Sequence, residues 1–312
     1  MGWKNGSDRR DLYQEVTDKI VAALEAGTAP WVKPWAGTAG GTGGPPVNGI
    51  TGRRYTGINF VLGSLGCWGD ARFYTFKQAH ECGGHVRAGE KGTMMVFFKP
   101  SSGTYTAKEK NDAGQDEDVT RRKPPVLKHF YVWNRQQIEW EGEEAPVPAP
   151  DAVPSDNPFH LAAELFAASG ARLHHGGDRA FYSLTSDGIT MPPQSAFVDV
   201  GAYYATLLHE LTHWTGHPSR CARTFGSRFG DAAYAVEELV AELGSAMLCG
   251  LTGVDGKLQH AEYVASWLKV LKADKYAIFT ASREAQKAAE FVIPKATGAE
   301  GEDGAEGEEG AA

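Results

Sequence analysis

Apolar residues at Leu12, Val16, Ile20, Val21 and Leu24 recur every three to four positions, which places them on one face of a helix. Ser7 stands where such a helix takes its cap and Gly27 where it ends, so a helix is predicted over 7–26. The Gly-, Pro- and Thr-rich stretch 36–49 reads as loop. Two runs rich in β-branched and aromatic residues, Thr93–Lys99 and Val126–Asn134, read as strands. The polar residues 101–125 between them are predicted to form a long mobile hairpin loop. Residues 141–158 hold five prolines and five acids and, beyond two valines, no large apolar side chain. That composition predicts a semi-rigid linker able to hold two domains up to about 55 Å apart.

Beyond the linker the helical period dominates. Leu161, Leu165 and Phe166 mark a helix over 159–169, and 180–184 with Gly188–Met191 reads as a β-hairpin turning at 185–187. Tyr204, Leu207, Leu208 and Leu211 share one helical face, and Gly216 and Pro218 supply the stop. A further helix carries Leu239, Leu243, Ala246 and Met247 at core spacing, and 260–292 reads as helical with a break at 273–274. The predicted class is α+β in two domains: an N-terminal α+β domain over 1–140, and a mainly helical domain with a short sheet over 159–295. The linker 141–158 joins them, and an acidic tail, 296–312, follows.

The helix ending at Gly216 carries His209-Glu210-Leu211-Thr212-His213. Positions i and i+4 of a helix differ by about 40° of rotation and about 6 Å of rise. Both imidazoles therefore point the same way and can share one metal ion, while Glu210 sits where it can take a proton from water activated there. Two histidines flanking a glutamate on a core helix would be costly polar burial without a metal. A tetrahedral site needs a third protein ligand. The spacing that would put a third histidine on the following turn places Ser219 there instead, and His217 comes two residues too early. The helix over 234–248 offers Glu237, Glu238 and Glu242. Glu238 and Glu242 share a face, so Glu238 is expected as the ligand and Glu242 as acceptor of a ligand histidine's N–H. Glu237, or Glu242 as ligand, remains the alternative. Zn2+ suits this donor set, and another divalent ion is possible. His260 and Tyr263, three residues apart on one helical face, are candidate donors to an oxyanion, against ordinary packing beside Trp267.

Charge separates the halves. The net charge is −8, but residues 1–140 carry +5 and residues 141–312 carry −13, with six acids in the tail 298–312. A polyanion would be held by the basic front and repelled by the acidic back. Residues that mix cations with aromatics there are Arg53, Arg54, Tyr55 and Asn59 in one Gly-rich segment, Phe76, Lys77 and Gln78, and Arg87 and Lys91 in a second Gly-rich turn. Aromatics that stack bases beside cations that track phosphates suit single-stranded DNA. No apolar run approaches the roughly 18 residues of a membrane helix, and the first ten residues lack the apolar core of a signal peptide. Cys67, Cys82, Cys221 and Cys249 stand far apart and read as small core residues in a reducing compartment, the cytoplasm.

These segments together resemble the ArdC-type plasmid antirestriction proteins and their relatives among conjugative-plasmid primases. The resemblance is carried by Trp31-x-x-Pro34-Trp35, by Asn48-x-x-Thr51-Gly52-x-x-Tyr55-x-Gly57-x-Asn59 and by 75–79, 83–92 and 132–137. In the second half it is carried by 209–220, 237–242 and Tyr263-x-x-x-Trp267-Leu268. It runs from about residue 8 to residue 292 and leaves out 101–125, the linker and the tail. It implies a single-stranded-DNA-binding domain followed by a zincin-like metallopeptidase domain, with a role in helping incoming DNA escape restriction and a protein substrate that is unknown. Two other readings fit parts of the chain: a non-catalytic single-strand-binding protein whose metal only staples the second domain, and a DNA–protein crosslink protease.

Overall fold

The structure, a computed structural model, describes residues 10–27, 29, 31, 44–110, 115–142, 158–224, 232–255 and 261–297. Ser7, His260, residues 143–157 of the predicted linker and residues 298–312 of the tail lie outside the described residues. The first half contains α1 (Leu12–Glu25), β1 (Val47–Asn48), α2 (Ile58–Ser64), β2 (Arg72–Tyr74), α3 (Phe76–Glu81), β3 (Gly84–Val86), β4 (Thr93–Lys99), β5 (Thr104–Lys110), β6 (Asp116–Arg122), β7 (Val126–Asn134) and β8 (Ile138–Trp140). The second contains α4 (Pro158–Ser169), β9 (Arg172–His175), β10 (Phe181–Ser183), β11 (Gly188–Met191), α5 (Val200–Thr215), α6 (Ala232–Thr252), α7 (Ala261–Ala273) and α8 (Ala277–Thr297). The class is α+β in two parts, as the periodicity predicts.

In the first half β1, β2, β7 and β4 form a sheet in that order, with β1–β2 parallel and the other pairs antiparallel. Asn59 of α2 binds the edge strand β4 through both ends of its amide, accepting from the Val96 N–H at 2.8 Å and donating to the Val96 carbonyl at 2.7 Å. The cap of α1 is Asp11, whose carboxylate accepts from the N–H groups of Tyr13 and Gln14. The expected loop 101–125 is instead largely a two-stranded ribbon, β5 against β6 in a seven-residue antiparallel register. Thr104, Tyr105, Thr106, Val119 and Thr120 suit strands, and two register pairs near the turn set opposite charges against each other, Lys108–Asp118 and Lys110–Asp116, the latter at 3.6 Å.

The second half surrounds a small sheet, order β10-β11-β9, with the predicted hairpin β10–β11 turning through Asp187 at φ 47°. Strand β9 shows no alternation in Arg-Leu-His-His and was not expected. The break predicted at 273–274 separates α7 from α8, where the Asp274 carboxylate accepts from the Tyr276 N–H at 2.8 Å.

The halves pack together, contrary to the expected separation by an extended linker. The buried face of α1 (Val16, Ile20, Leu24) and Trp31 join Trp267, Leu271 and Ile278 in one core cluster. The Thr17 hydroxyl donates to the Lys275 carbonyl at 2.8 Å, the Gly57 N–H donates to Gln286 Oε1 at 3.1 Å, and Lys272 pairs with Glu25 at 2.5 Å. Helix α1 has one apolar stripe, and α7 offers the apolar face that buries it. Of the cysteines only Cys249 is buried, while Cys67 is exposed.

Candidate metal centre and nucleic-acid interface

Helix α5 begins at Asp199, whose carboxylate accepts from the Ala202 N–H at 2.7 Å, and ends at Gly216. His209 and His213 lie on one face of it, ring centroids 4.9 Å apart. Helix α6 crosses closely because Gly244 has no side chain: a Cβ there would stand 2.5 Å from Thr212 Cγ2 of α5. That approach brings the start of α6 over the histidines. One Glu238 oxygen lies 3.6 Å from His209 Nε2 and 3.7 Å from His213 Nε2, and all three side chains are buried.

These separations are too long for hydrogen bonds. They are close to the edge of about 3.3 Å between ligands bound at 2.0–2.1 Å around a tetrahedral ion. Three buried donor atoms within 4.8 Å of one another therefore fit a divalent cation. Burial disfavours the His213 imidazolium, yet Glu237 and Glu238 outweigh it and raise its pKa to about 10. Burial likewise pushes the Glu238 carboxyl up, but His209 and His213 hold it below the usual carboxylate range.

The hydrogen bond expected from Glu242 is made by Glu237. His213 Nδ1 lies 3.0 Å from Glu237 Oε1, and Arg223 donates to both Glu237 oxygens at 2.9 Å. With Nε2 turned to Glu238, Nδ1 points away across the ring, toward the side on which Glu237 lies. Glu242, also buried, is five residues beyond Glu237 on α6, about 7.5 Å further along the helix.

A cleft of about 580 Å3 opens onto these three side chains, lined among others by Glu210, Arg179, Tyr182, Tyr234 and Tyr263. Tyr263 is thus in the site, its ring stacked on Trp267 and its hydroxyl 3.2 Å from that of Tyr234. Burial, Tyr263 and the Glu238 charge push the Tyr234 hydroxyl well up, so it stays a proton donor. Sequence reasoning missed Tyr234 and Arg223. Tyr234 had a signal, since it precedes Glu238 by four on α6; Arg223 had none. Asp187, in the turn beside β10, pairs with Arg220 at 2.5 Å, and Arg220 lies over the Trp214 ring at 3.8 Å.

The candidate DNA residues divide. Asn59 is committed to β4, and Gln78 closes a capping box with Thr75 at the start of α3. Tyr55 is half-buried, edge-on to Phe73 at 6.3 Å, and burial pushes its hydroxyl up to about 12. All three are half-buried and make contacts within the fold. Arg54 is half-buried. Arg53, Lys77, Arg87 and Lys91 are exposed, Arg87 paired with Glu90 at 2.6 Å. Phe76 is 61% exposed, edge-on to Trp133.

Residues 10–133 match the family model described as the N-terminal domain of anti-restriction factor ArdC, and residues 160–284 match that of a zincin-like metallopeptidase. Two DNA primases TraC of Escherichia coli are 38% and 37% identical over 91% and 93% of this chain. The chain spans only 27% and 20% of those two proteins. Protein y4eC of Sinorhizobium fredii (strain NBRC 101917 / NGR234) is 34% identical, with 90% of this chain and 91% of y4eC covered. Crystal structures of the antirestriction ArdC protein from R388 plasmid, metal-free and Mn(II)-bound, superpose with TM-scores of 0.70 and 0.69. Identity is 39% and 38%, over 93% and 92% of this chain and 99% and 98% of theirs.

Proposed function

The chain belongs to the ArdC antirestriction family with a zincin-like metallopeptidase domain, and on that premise we propose that it binds single-stranded DNA entering a cell and hydrolyses a protein substrate with a bound zinc ion. In this reading 1–140 is the DNA-binding domain, 159–295 the peptidase domain, and the cytoplasm the place of action. Among the described residues no helix is long and apolar enough to cross a membrane.

The observation that carries the reading is the buried trio His209, His213 and Glu238 with Glu210 beside it on the same cleft. Two histidines and a glutamate form a donor set that zinc peptidases use; one of the two ArdC crystal structures is Mn(II)-bound. What such an ion supplies when bound is Lewis acidity toward water and a carbonyl. Glu210 accepts the proton of the attacking water and passes it to the leaving amine. The hydroxyls of Tyr234 and Tyr263 donate to the oxyanion that develops at the scissile carbonyl. Glu237, held by Arg223, fixes the ring of His213 so that Nε2 faces the cleft.

The test is casein hydrolysis by the full chain loaded with zinc. The parent cleaves, a chelator stops it, and Glu210→Gln keeps its metal without cleaving. Cleavage by Glu210→Gln equal to the parent would contradict the assignment.

A further inference from the structure

The sequence points to two Gly-rich segments and to 76–78 as the DNA contacts, yet Tyr55, Asn59 and Gln78 among them are half-buried and bonded or packed within the fold. A different surface of the first half combines rings and cations. Strand β4 is buried through Met94, Met95 and Val96 and then runs clear of its covering layers: Phe97 is 46% and Phe98 51% exposed. Successive strand residues face opposite ways, so Phe97 and Phe98 emerge on opposite faces of this end, Phe98 across from the buried Leu127. Next to it the β5–β6 ribbon presents Tyr105, 45% exposed.

Cations stand across from two of the rings. In the strand registers Phe97 faces Lys128 and Tyr105 faces Arg121, while Lys99 follows Phe98 directly. The stretches 93–107 and 119–131 hold five Lys and Arg and not one Asp or Glu; the ribbon's acids all lie in 108–118, toward its turn. Exposed large apolar groups gathered in one place mark an interaction surface. A protein partner or a second copy would bury these cations and would have to supply carboxylates. A phosphate chain supplies one charge per nucleotide, with a flat base beside it.

We propose that the bare end of β4–β7 and the adjoining base of the β5–β6 ribbon bind single-stranded DNA. Bases stack on Phe97, Phe98 and Tyr105, and phosphates sit against Lys99, Lys128 and Arg121. Duplex DNA is disfavoured because its bases are already stacked. The inference rests on the single-strand-binding reading and replaces its contact residues.

The experiment is fluorescence anisotropy of the full chain with labelled oligothymidylate of about 20 nucleotides, longer than the roughly 4–16 that one single-strand module covers. Phe97→Ser with Phe98→Ser should lower affinity about tenfold or more, because removing the platform under each base costs roughly 5- to 150-fold. The slope of log affinity against log salt should stay as in the parent. Lys128→Glu with Arg121→Glu should lower affinity and flatten that slope, by roughly 0.7 for each phosphate no longer neutralised. Arg53→Ala with Lys77→Ala should stay within about twofold of the parent. Phe97→Leu with Phe98→Leu keeps apolar bulk and removes the rings, so the weakening should persist in a variant that melts like the parent.

If both strand-end variants bind like the parent while Arg53→Ala with Lys77→Ala loses binding, this surface is wrong and the single-strand reading survives. If the parent itself binds no single strand, both fall. A dimer that dissociates on the Phe97 and Phe98 changes with DNA affinity untouched would also overturn the proposal, in favour of a second copy as occupant.

Discussion

Arg223 grips both oxygens of Glu237, and Glu237 grips Nδ1 of His213, all three nearly out of reach of solvent. Removing the guanidinium would leave a buried carboxylate without its counter-charge and a ligand ring without a fixed orientation. Arg223→Ala is therefore expected to weaken zinc binding about 10- to 100-fold in a chelator competition; affinity within twofold of the parent would mean that the ring needs no such support. A second residue-scale expectation concerns Asp187. Its hydrogen bond from Arg220 is the main cause that holds the carboxyl at about 2, below the ordinary 3.8. A depressed carboxyl contributes stability above about pH 4 and loses it as pH falls toward 2. The melting temperatures of the parent and Asp187→Asn should differ at pH 5 and converge by about pH 2, and Asn keeps the positive φ of the turn accessible. A constant difference across that range would assign the effect to something other than the ion pair. At this scale His209, Glu210 and His213 were legible because helical spacing alone aligns them. The duties of Glu237 and Glu242 were not, because helical spacing cannot say which carboxylate reaches the far side of a ring on another helix.

Helices α5 and α6 meet where Thr212 lies against the missing side chain of Gly244. A methyl at 244 overlaps Thr212, so Gly244→Ala is expected to destabilise the fold by roughly 1–3 kcal/mol. It should also weaken metal binding, since Glu238 rides on α6 and both histidines on α5. Adding Thr212→Ala removes the overlapping atoms and should restore much of both, read by calorimetry and zinc titration. If the double variant is no better than Gly244→Ala, the crossing is not set by this contact. Long amphipathic helices such as α1, α5 and α6 were legible because their apolar period repeats over several turns. Strand β9 and the β5–β6 ribbon were not, since Arg172-Leu173-His174-His175 and the charged strands 104–110 and 116–122 bury almost nothing and leave no alternation to read.

Across the whole molecule, proline in 141–158 suggested two tethered bodies, but the apolar stripe of α1 is buried in part on α7 of the other half. No periodicity names the partner of a stripe. Trp31 of the first half meets Trp267, Trp267 stacks on Tyr263, and Tyr263 reaches Tyr234 in the cleft beside His209, His213 and Glu238. The fragment 1–140 alone would expose Val16, Ile20, Leu24 and Trp31. It is expected to melt well below the full chain, which should unfold in one cooperative transition; a fragment as stable as the full chain would restore the picture of independent domains. Because the proposed DNA surface and the cleft use different residues, Glu210→Gln should leave single-strand affinity within about twofold. The metal content of purified Glu238→Ala beside Glu210→Gln tests the assembled centre most directly. Glu238→Ala should lose most of its zinc under dialysis, while Glu210→Gln keeps one ion per chain and loses hydrolysis. Parental zinc content in a folded Glu238→Ala would place the third ligand elsewhere and contradict the assignment of His209, His213 and Glu238 as the metal centre.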